Sequence, residues 1–309
     1  SLIVTLDIVK MRHSSVLIPL ASALLGPALA WTPPGYGGFN TVWYDDFDGP
    51  SGASPNGNDW NIITGNLGVN NELETCVLLL TLPHLSNYTS SSRNLQLSGG
   101  DTLQLVPWRD SGAANGWTSG RIESKYVFTP RAGGVTRVEA QLRFGGNDPN
   151  AKQGLWPAFW LLGQALRLGT GWPAAGELDI METVNGQLIG HGTIHCDTYP
   201  GGICNEPTGI GAAVGIPDQA WHVWRLEWDL RNGDWNAQTL QWSVDGNVFQ
   251  TVSGARIGNQ AVWNSLAHAP MYFLLNMAVG GDWPGYPNAG TQDGYGSMME
   301  VAYVAHYQT

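Results

Sequence analysis

Three carboxylates fall within six residues in Glu177-Leu178-Asp179-Ile180-Met181-Glu182, separated only by apolar side chains. Charged residues make up just 13% of the chain, so acids spaced by Leu, Ile and Met do not form a solvated charge run. Alternation of acid and hydrophobe predicts a strand with one face on a core and the acids on the other. Glu177 and Asp179 then share a face, whereas Glu182 stands an odd number of steps from Glu177 and points away. A helix is no better, because five steps at ~100° per residue leave the two glutamates roughly 140° apart. One residue bulged out at Ile180 or Met181 restores the parity, and bulges recur beside active sites. All three carboxylates then line one strip of a sheet.

Two carboxylates flanking a glycosidic bond are enough for sugar hydrolysis, one as proton donor and the other as nucleophile or base. With the bulge discounted, Glu177 and Glu182 lie four pleat steps apart, about 13 Å between Cα atoms at ~3.3 Å per step. Side chains leaning toward each other over Asp179 narrow the carboxyl gap to about 5–5.5 Å, the separation found in retaining enzymes. An acidic sheet edge or a calcium-type oxygen cluster has the same composition, so the surroundings must decide.

The elements that must position this row are strands. Short alternating runs recur with turn signals between them: Leu95–Leu97, Thr102–Val106, Arg121–Phe128, Arg137–Phe144, His222–Trp228, Leu240–Val244, Tyr272–Val279 and Met299–Tyr307. Asp245-Gly246 marks a hairpin turn, and no long stretch shows helical periodicity. The 41 glycines and 18 prolines suit a fold rich in turns. With 309 residues, 43% of them hydrophobic, and no linker or repeat after Trp31, one antiparallel β-sandwich is the economical expectation. Asn185-Gly186 suggests a tight hairpin after the acidic strand. A two-residue loop pairs Val184 with Gln187 and Glu182 with Ile189. Through the bulge, Asp179 then falls opposite His191 and Glu177 opposite Thr193. His191, Thr193 and His195 share the carboxylate face in that register, either as hydrogen-bonding partners of a sugar or as satisfied, partly buried side chains.

A net charge of −11 argues against nucleic acid or an anionic membrane as partner. The 15 tryptophans supply core, as the run from Trp156 to Leu162 must, and also aromatic planes of the kind that carry sugar rings. Met11-Arg12-His13, the apolar run Val16–Leu25 and Ala28-Leu29-Ala30 have the layout of a secretory signal peptide over residues 11–30, so a secreted, extracellular protein starting near Trp31 is expected. Residues 1–10 precede that leader and read as a gene-model extension. Cys196 and Cys204 flank a turn-rich loop. In a secreted protein a disulfide is expected there, with a metal site as the alternative, although CxxC spacing is missing.

Taken together, these residues resemble glycoside hydrolase family 16, and within it fungal secreted endo-β-1,3-glucanases of the laminarinase type. The resemblance is carried by Gly176 to Glu182, which match the bulged Glu-x-Asp-x-x-Glu motif, and extends over nearly all of residues 31–309. Asn70–Leu73, Ser119–Ser124, Leu155–Trp160, Thr193–His195 and Asn276–Pro284 are also family-like. It implies a β-jelly roll of two curved antiparallel sheets with an open concave cleft. It implies Glu177 as nucleophile, Glu182 as general acid/base, Asp179 as electrostatic helper and His195 as the histidine beside the acids. Trp160, Trp172 and Trp283 correspond to aromatic subsite positions, and Asn70 and Arg121 to polar cleft residues. The implied substrate is a β-glucan, cut endo-fashion at β-1,3 or mixed β-1,3/1,4 linkages with retention by a monomer. No cofactor and no metal is implied.

The chain departs from the family at Cys76–Asn87, an apolar insertion that reads as retained intron sequence, with a hydrophobic loop as the alternative. It supplies the odd Cys76 and the sequon Asn87-Tyr88-Thr89. The last strand, Val301–Tyr307, also departs, where the family prefers Asp and Arg. Two other functions are compatible with the fold: a cell-wall β-glucan transglycosylase, in which a sugar hydroxyl replaces water, and a glucan-binding protein without chemistry. Binding alone does not need two apposed glutamates, which disfavours the last.

Overall fold

The computed structural model describes residues 31–65, 67–73 and 88–309. The expected leader at 11–30, the extension at 1–10 and the insertion at 76–87 lie outside these residues. In chain order the strands are β1 Asn40–Asp45, β2 Trp60–Ile62, β3 Leu95–Leu97, β4 Leu103–Leu105, β5 Trp108–Arg109, β6 Trp117–Thr118, β7 Arg121–Phe128, β8 Val135–Phe144, β9 Leu155–Gly163, β10 Glu177–Glu182, β11 Ile189–His195, β12 Ile210–Gly215, β13 His222–Asp229, β14 Thr239–Val244, β15 Asn247–Ser253, β16 Met271–Val279 and β17 Met299–Gln308. Two short helices, α1 Gly254–Ile257 and α2 Gln260–Ala267, follow β15.

These strands build the expected jelly-roll sandwich from two large antiparallel sheets. One runs β15-β14-β13-β8-β17-β4-β3, with β1 also on β17; the other runs β12-β11-β10-β9-β16-β7-β2 and carries the acidic row. Alternation in the sequence becomes alternation in burial. Trp224, Leu226 and Trp228 of β13 face inward at 0% exposure, between half-buried neighbours. They meet Leu178, Ile180, Phe159, Phe273 and Leu275 from the second sheet in one continuous core. Truncating a core tryptophan of this kind costs about 3–5 kcal/mol. The Asp245-Gly246 turn is present between β14 and β15, both residues having positive φ (49° and 78°), as a tight hairpin of this hand requires. The departing strand β17 lies inside its sheet, between β8 and β4, and is buried almost end to end.

Two glycines let the sheets approach beneath the acidic row. A Cβ on Gly192 of β11 would stand 2.5 Å from Cδ1 of Trp242, and one on Gly190 would run into the Trp224 ring. The alternation Gly190-His191-Gly192 thus gives indoles the inner face of β11 and leaves the histidines for the outer face.

Candidate active site

The bulge forms where parity required it. Against β9, Asp179 pairs with Trp160 and Met181 with Phe159, so Ile180 is the extra residue. Ile180 and Met181 both point into the core at 0% exposure. The kink takes the Asp179 carbonyl toward the opposite sheet, where Nε1 of Trp242 donates to it at 2.7 Å. A bulge frees backbone groups that need new partners when buried, and this indole supplies one. Glu177, Asp179 and Glu182 then line a single cleft of about 380 Å³ with Asn70, Glu72, Arg121, Trp156, Trp160 and Asn276.

The register across the hairpin differs from the expected one by two residues. Glu177 pairs with His195, Asp179 with Thr193 and Glu182 with His191. The tight turn is present, with Gln187 N–H donating to Val184 O at 3.0 Å and positive φ at Asn185 and Gly186. The ladder does not reach it, because the Thr183 hydroxyl takes the Gln187 carbonyl at 2.7 Å and Leu188 O accepts from Ile216 N–H at 2.9 Å. His191, Thr193 and His195 still share the carboxylate face, but it is His195 that stands beside Glu177.

The row is crowded and dry. Asp179 is 3% and Glu182 9% exposed, and Glu177 is part-buried. Burial, then the charges of Glu182, Glu177 and Glu206, holds the Asp179 carboxyl well above the usual range. Burial is also the main force on its neighbours, pushing Glu177 up to about 8 and Glu182 up to about 7. The order of these two values is the reverse of what an ionised Glu177 and a protonated Glu182 need. Because the three carboxyls interact strongly, protons leave the row in shared steps that belong to the cluster. The other forces act both ways: on Glu177 the charges of Glu182 and Glu206 add to burial while Arg121 and a hydrogen bond from Trp172 oppose it, and on Glu182 the charge of Glu72 adds to burial while the Trp156 indole N–H at 2.8 Å opposes it.

The aromatic positions fall into two kinds. Trp172 and Trp283 are 40% and 41% exposed. Trp172 stands against His195, ring centroids 5.7 Å apart, at the Glu177 end. Trp283 packs edge-on to Trp156 at 5.4 Å and to His191 at 5.0 Å, at the Glu182 end. Trp160 is part-buried in the cleft floor, with Nε1 donating to Asn276 Oδ1 at 2.7 Å and the Arg121 guanidinium 5.0 Å over its ring. Arg121 is 7% exposed and bonded to Glu123 at 2.9 Å. Asn70 has φ of +53°, its side chain donates to Glu72 at 3.2 Å, and its carbonyl accepts from Asp282 N–H at 2.8 Å, tying its loop to that of Trp283.

Two buried acids at the site carried no sequence signal of their own. Glu72 accepts from the Tyr88 hydroxyl at 3.3 Å. Glu206, two residues past the loop closed by the expected Cys196–Cys204 disulfide, accepts from His195 Nδ1 at 2.7 Å and from Cys196 N–H at 2.8 Å. Glu72 sits inside the quoted Asn70–Leu73 stretch; Glu206 lies in turn-rich sequence and only the fold brings it to His195. Glu177, Asp179 and His195 also bring one ligand-type atom each within 4.8 Å of one another. One nitrogen and two carboxylates fall short of the six or more oxygens of calcium and of the histidine-rich sets typical of zinc, so the donor set favours acid–base chemistry.

A family profile described as an XgeA-like, catalytic GH16 domain matches residues 109–207. The endo-1,3-beta-glucanase from Streptomyces sioyaensis, a solved structure, is 37% identical with a TM-score of 0.78, over 90% of this chain and 99% of that one. The Beta-glucanase of Rhodothermus marinus is 26% identical over 280 residues, 86% of this chain and 84% of its own length. The Glucan endo-1,3-beta-glucosidase A1 of Niallia circulans is 29% identical over 295 residues; the match takes in 90% of this chain but only 39% of that longer protein.

Proposed function

We propose that this chain, which belongs to glycoside hydrolase family 16, cleaves internal β-1,3 linkages of glucans with retention of anomeric configuration. The observation that carries the reading is the bulge, which puts Glu177, Asp179 and Glu182 on one strip of an open cleft between two exposed indoles. Two glutamates on one strip of the cleft suit double displacement if their carboxyl groups lie about 5–5.5 Å apart. Glu177 attacks the anomeric carbon while the Glu182 carboxyl protonates the leaving glycosidic oxygen. Water, deprotonated by Glu182, then releases the sugar from Glu177. Asp179 stands between the two, its carboxyl held well above the usual range by burial and by the charges of its neighbours. Trp172 and Trp283 offer flat apolar faces to pyranose rings on either side of the scissile bond, and Arg121 favours the ionised nucleophile.

Secretion belongs to the same proposal. The Cys196–Cys204 disulfide suits an oxidising compartment, and residues 11–30 have the pattern of an export leader. The narrower kinship with fungal laminarinases rests on the sequence motifs, since the relatives named above are bacterial. The reading is tested by incubating residues 31–309 with laminarin, lichenan and a β-1,6-glucan and following chain length. Mid-chain cuts in laminarin are expected, with the β-1,6-glucan intact. Laminarin left whole contradicts the reading, and products longer than a purified oligosaccharide substrate assign transglycosylation instead.

A further inference from the structure

His195 is held from behind by a carboxylate that the hydrolytic reading does not use. Glu206 is 4% exposed, and both its oxygens are committed, Oε2 to His195 Nδ1 at 2.7 Å and Oε1 to Cys196 N–H at 2.8 Å. Its backbone, two residues past Cys204, is clamped as well, by paired hydrogen bonds of 2.9 and 2.6 Å with Gly201 of the disulfide-closed loop. The edge of the imidazole is confined, since a Cβ on Gly209 would stand 2.9 Å from His195 Cε1. On the far side, His195 Nε2 faces Asp179 Oδ2 at 3.4 Å, and that buried oxygen has no hydrogen-bond partner among the described residues.

Resting on the hydrolytic reading above, we propose that Glu206 is a positioning residue that fixes the proton arrangement of the acid row through His195. A carboxylate can only accept, so Nδ1 must carry a hydrogen. The proton facing the cleft is then the single one shared between Nε2 and Asp179 Oδ2. Uncomplexed active sites often hold such contacts long and tighten them on binding substrate. Closing 3.4 Å to hydrogen-bond length satisfies the orphaned oxygen and draws Asp179 off Glu177. The groups facing His195 are Glu177 and Asp179 of β10, the Trp172 ring and Glu206. Arg121 acts on Glu177 from β7, and Glu182 and Glu72 complete the charges along the row. The charge of Glu206 raises the carboxyls of both Glu177 and Asp179, so its removal lowers them.

The test is Glu206→Gln, which keeps shape and loses the charge, measured beside wild type for melting temperature, kcat and KM on a laminari-oligosaccharide across pH, and ¹⁵N shifts of the His195 ring, assigned with His195→Ala. The expected result is a kcat lower by roughly 10–100-fold, the scale seen when a carboxylate orienting a metal-bound imidazole is lost. KM changes little, the acidic limb of the pH profile, set by Glu177, moves to lower pH, and the wild-type imidazole carries its hydrogen on Nδ1. A variant that melts earlier yet keeps wild-type kcat and acidic limb overturns the proposal, as does a wild-type His195 protonated on Nε2 alone. If Glu206→Gln does not fold, the wild-type tautomer still decides. A wild type inactive on every β-glucan contradicts the hydrolytic reading, while the ring shifts report separately on the hold of Glu206 over His195.

Discussion

Glu177 has a guanidinium among its neighbours, and Glu182 has an indole. With the roles proposed above, Glu177→Gln and Glu182→Gln should each lose activity by ~10²–10⁴ in rate, the range for a missing acid/base group. Azide should separate the two sites, giving an inverted glycosyl azide with the Glu177 variant and a retained one with the Glu182 variant. Near-native turnover of an activated aryl glycoside by Glu177→Gln would remove Glu177 as nucleophile. The same carboxyl sets a pH dependence of stability. Burial, the main cause at both ends of the row, raises Glu177 to about 8 and Glu182 to about 7, so above the ordinary carboxyl range the folded row keeps protons, shared among its members, that the unfolded chain has released. Stability therefore falls as pH rises above that range. The melting temperature of Glu177→Gln, compared with wild type from pH 5 to pH 8, should gain on wild type steadily; parallel curves would show that the carboxyl is not buried at this cost. At Trp172 and Trp283, both substantially exposed, Ala should reduce kcat/KM on a long oligosaccharide while moving the melting temperature little. The opposite pattern would make either indole a packing residue.

At the scale of elements, the acidic strand depends on a side chain from the other sheet. Trp242→Phe removes the donor to the Asp179 carbonyl and leaves a buried acceptor unpaired, at a cost of about 1–3 kcal/mol. Thermal unfolding should show that loss, and kcat should fall with it because the bulge is no longer held. Unchanged kcat in the folded variant would mean that the strand keeps its kink unaided. The bulge itself was legible from parity, since three acids on one dry strip admit no regular strand. Arg121–Phe128 was readable to its ends even though its pairing with β16 carries a register shift between Glu123 and Val127. The hairpin register was not readable, because the Thr183 side chain takes a carbonyl that the ladder would otherwise use. Gly190 and Gly192 look like weak strand residues until the indoles beneath them are known. Strand β12, Ile210–Gly215, has only Gly, Ala and short aliphatic residues and so lacked a pattern. Glu206 was invisible for a related reason: its importance comes from the chain turning back after the disulfide, where bonds to Gly201 and Cys196 hold it on His195.

For the whole molecule, the sandwich divides labour between its sheets. Both sheets give their inner faces to the core, one with Trp224, Trp228 and Trp242 and the other with Phe159, Leu178, Phe273 and Leu275, while the second turns its outer face to the cleft. Loops at both ends close the row, with Trp172 and the disulfide loop beside Glu177 and the joined Asn70 and Trp283 loops beside Glu182. The proposed reaction brings both glutamates to bear on one glycosidic bond, and the stereochemistry of the product reports how far apart their carboxyl groups act. Proton NMR of the first reducing end released from a laminari-oligosaccharide should show the β-anomer before mutarotation, as double displacement through Glu177 requires. An initial α-anomer would mean that a water molecule stands between the carboxyl groups and that Glu177 does not form a covalent intermediate.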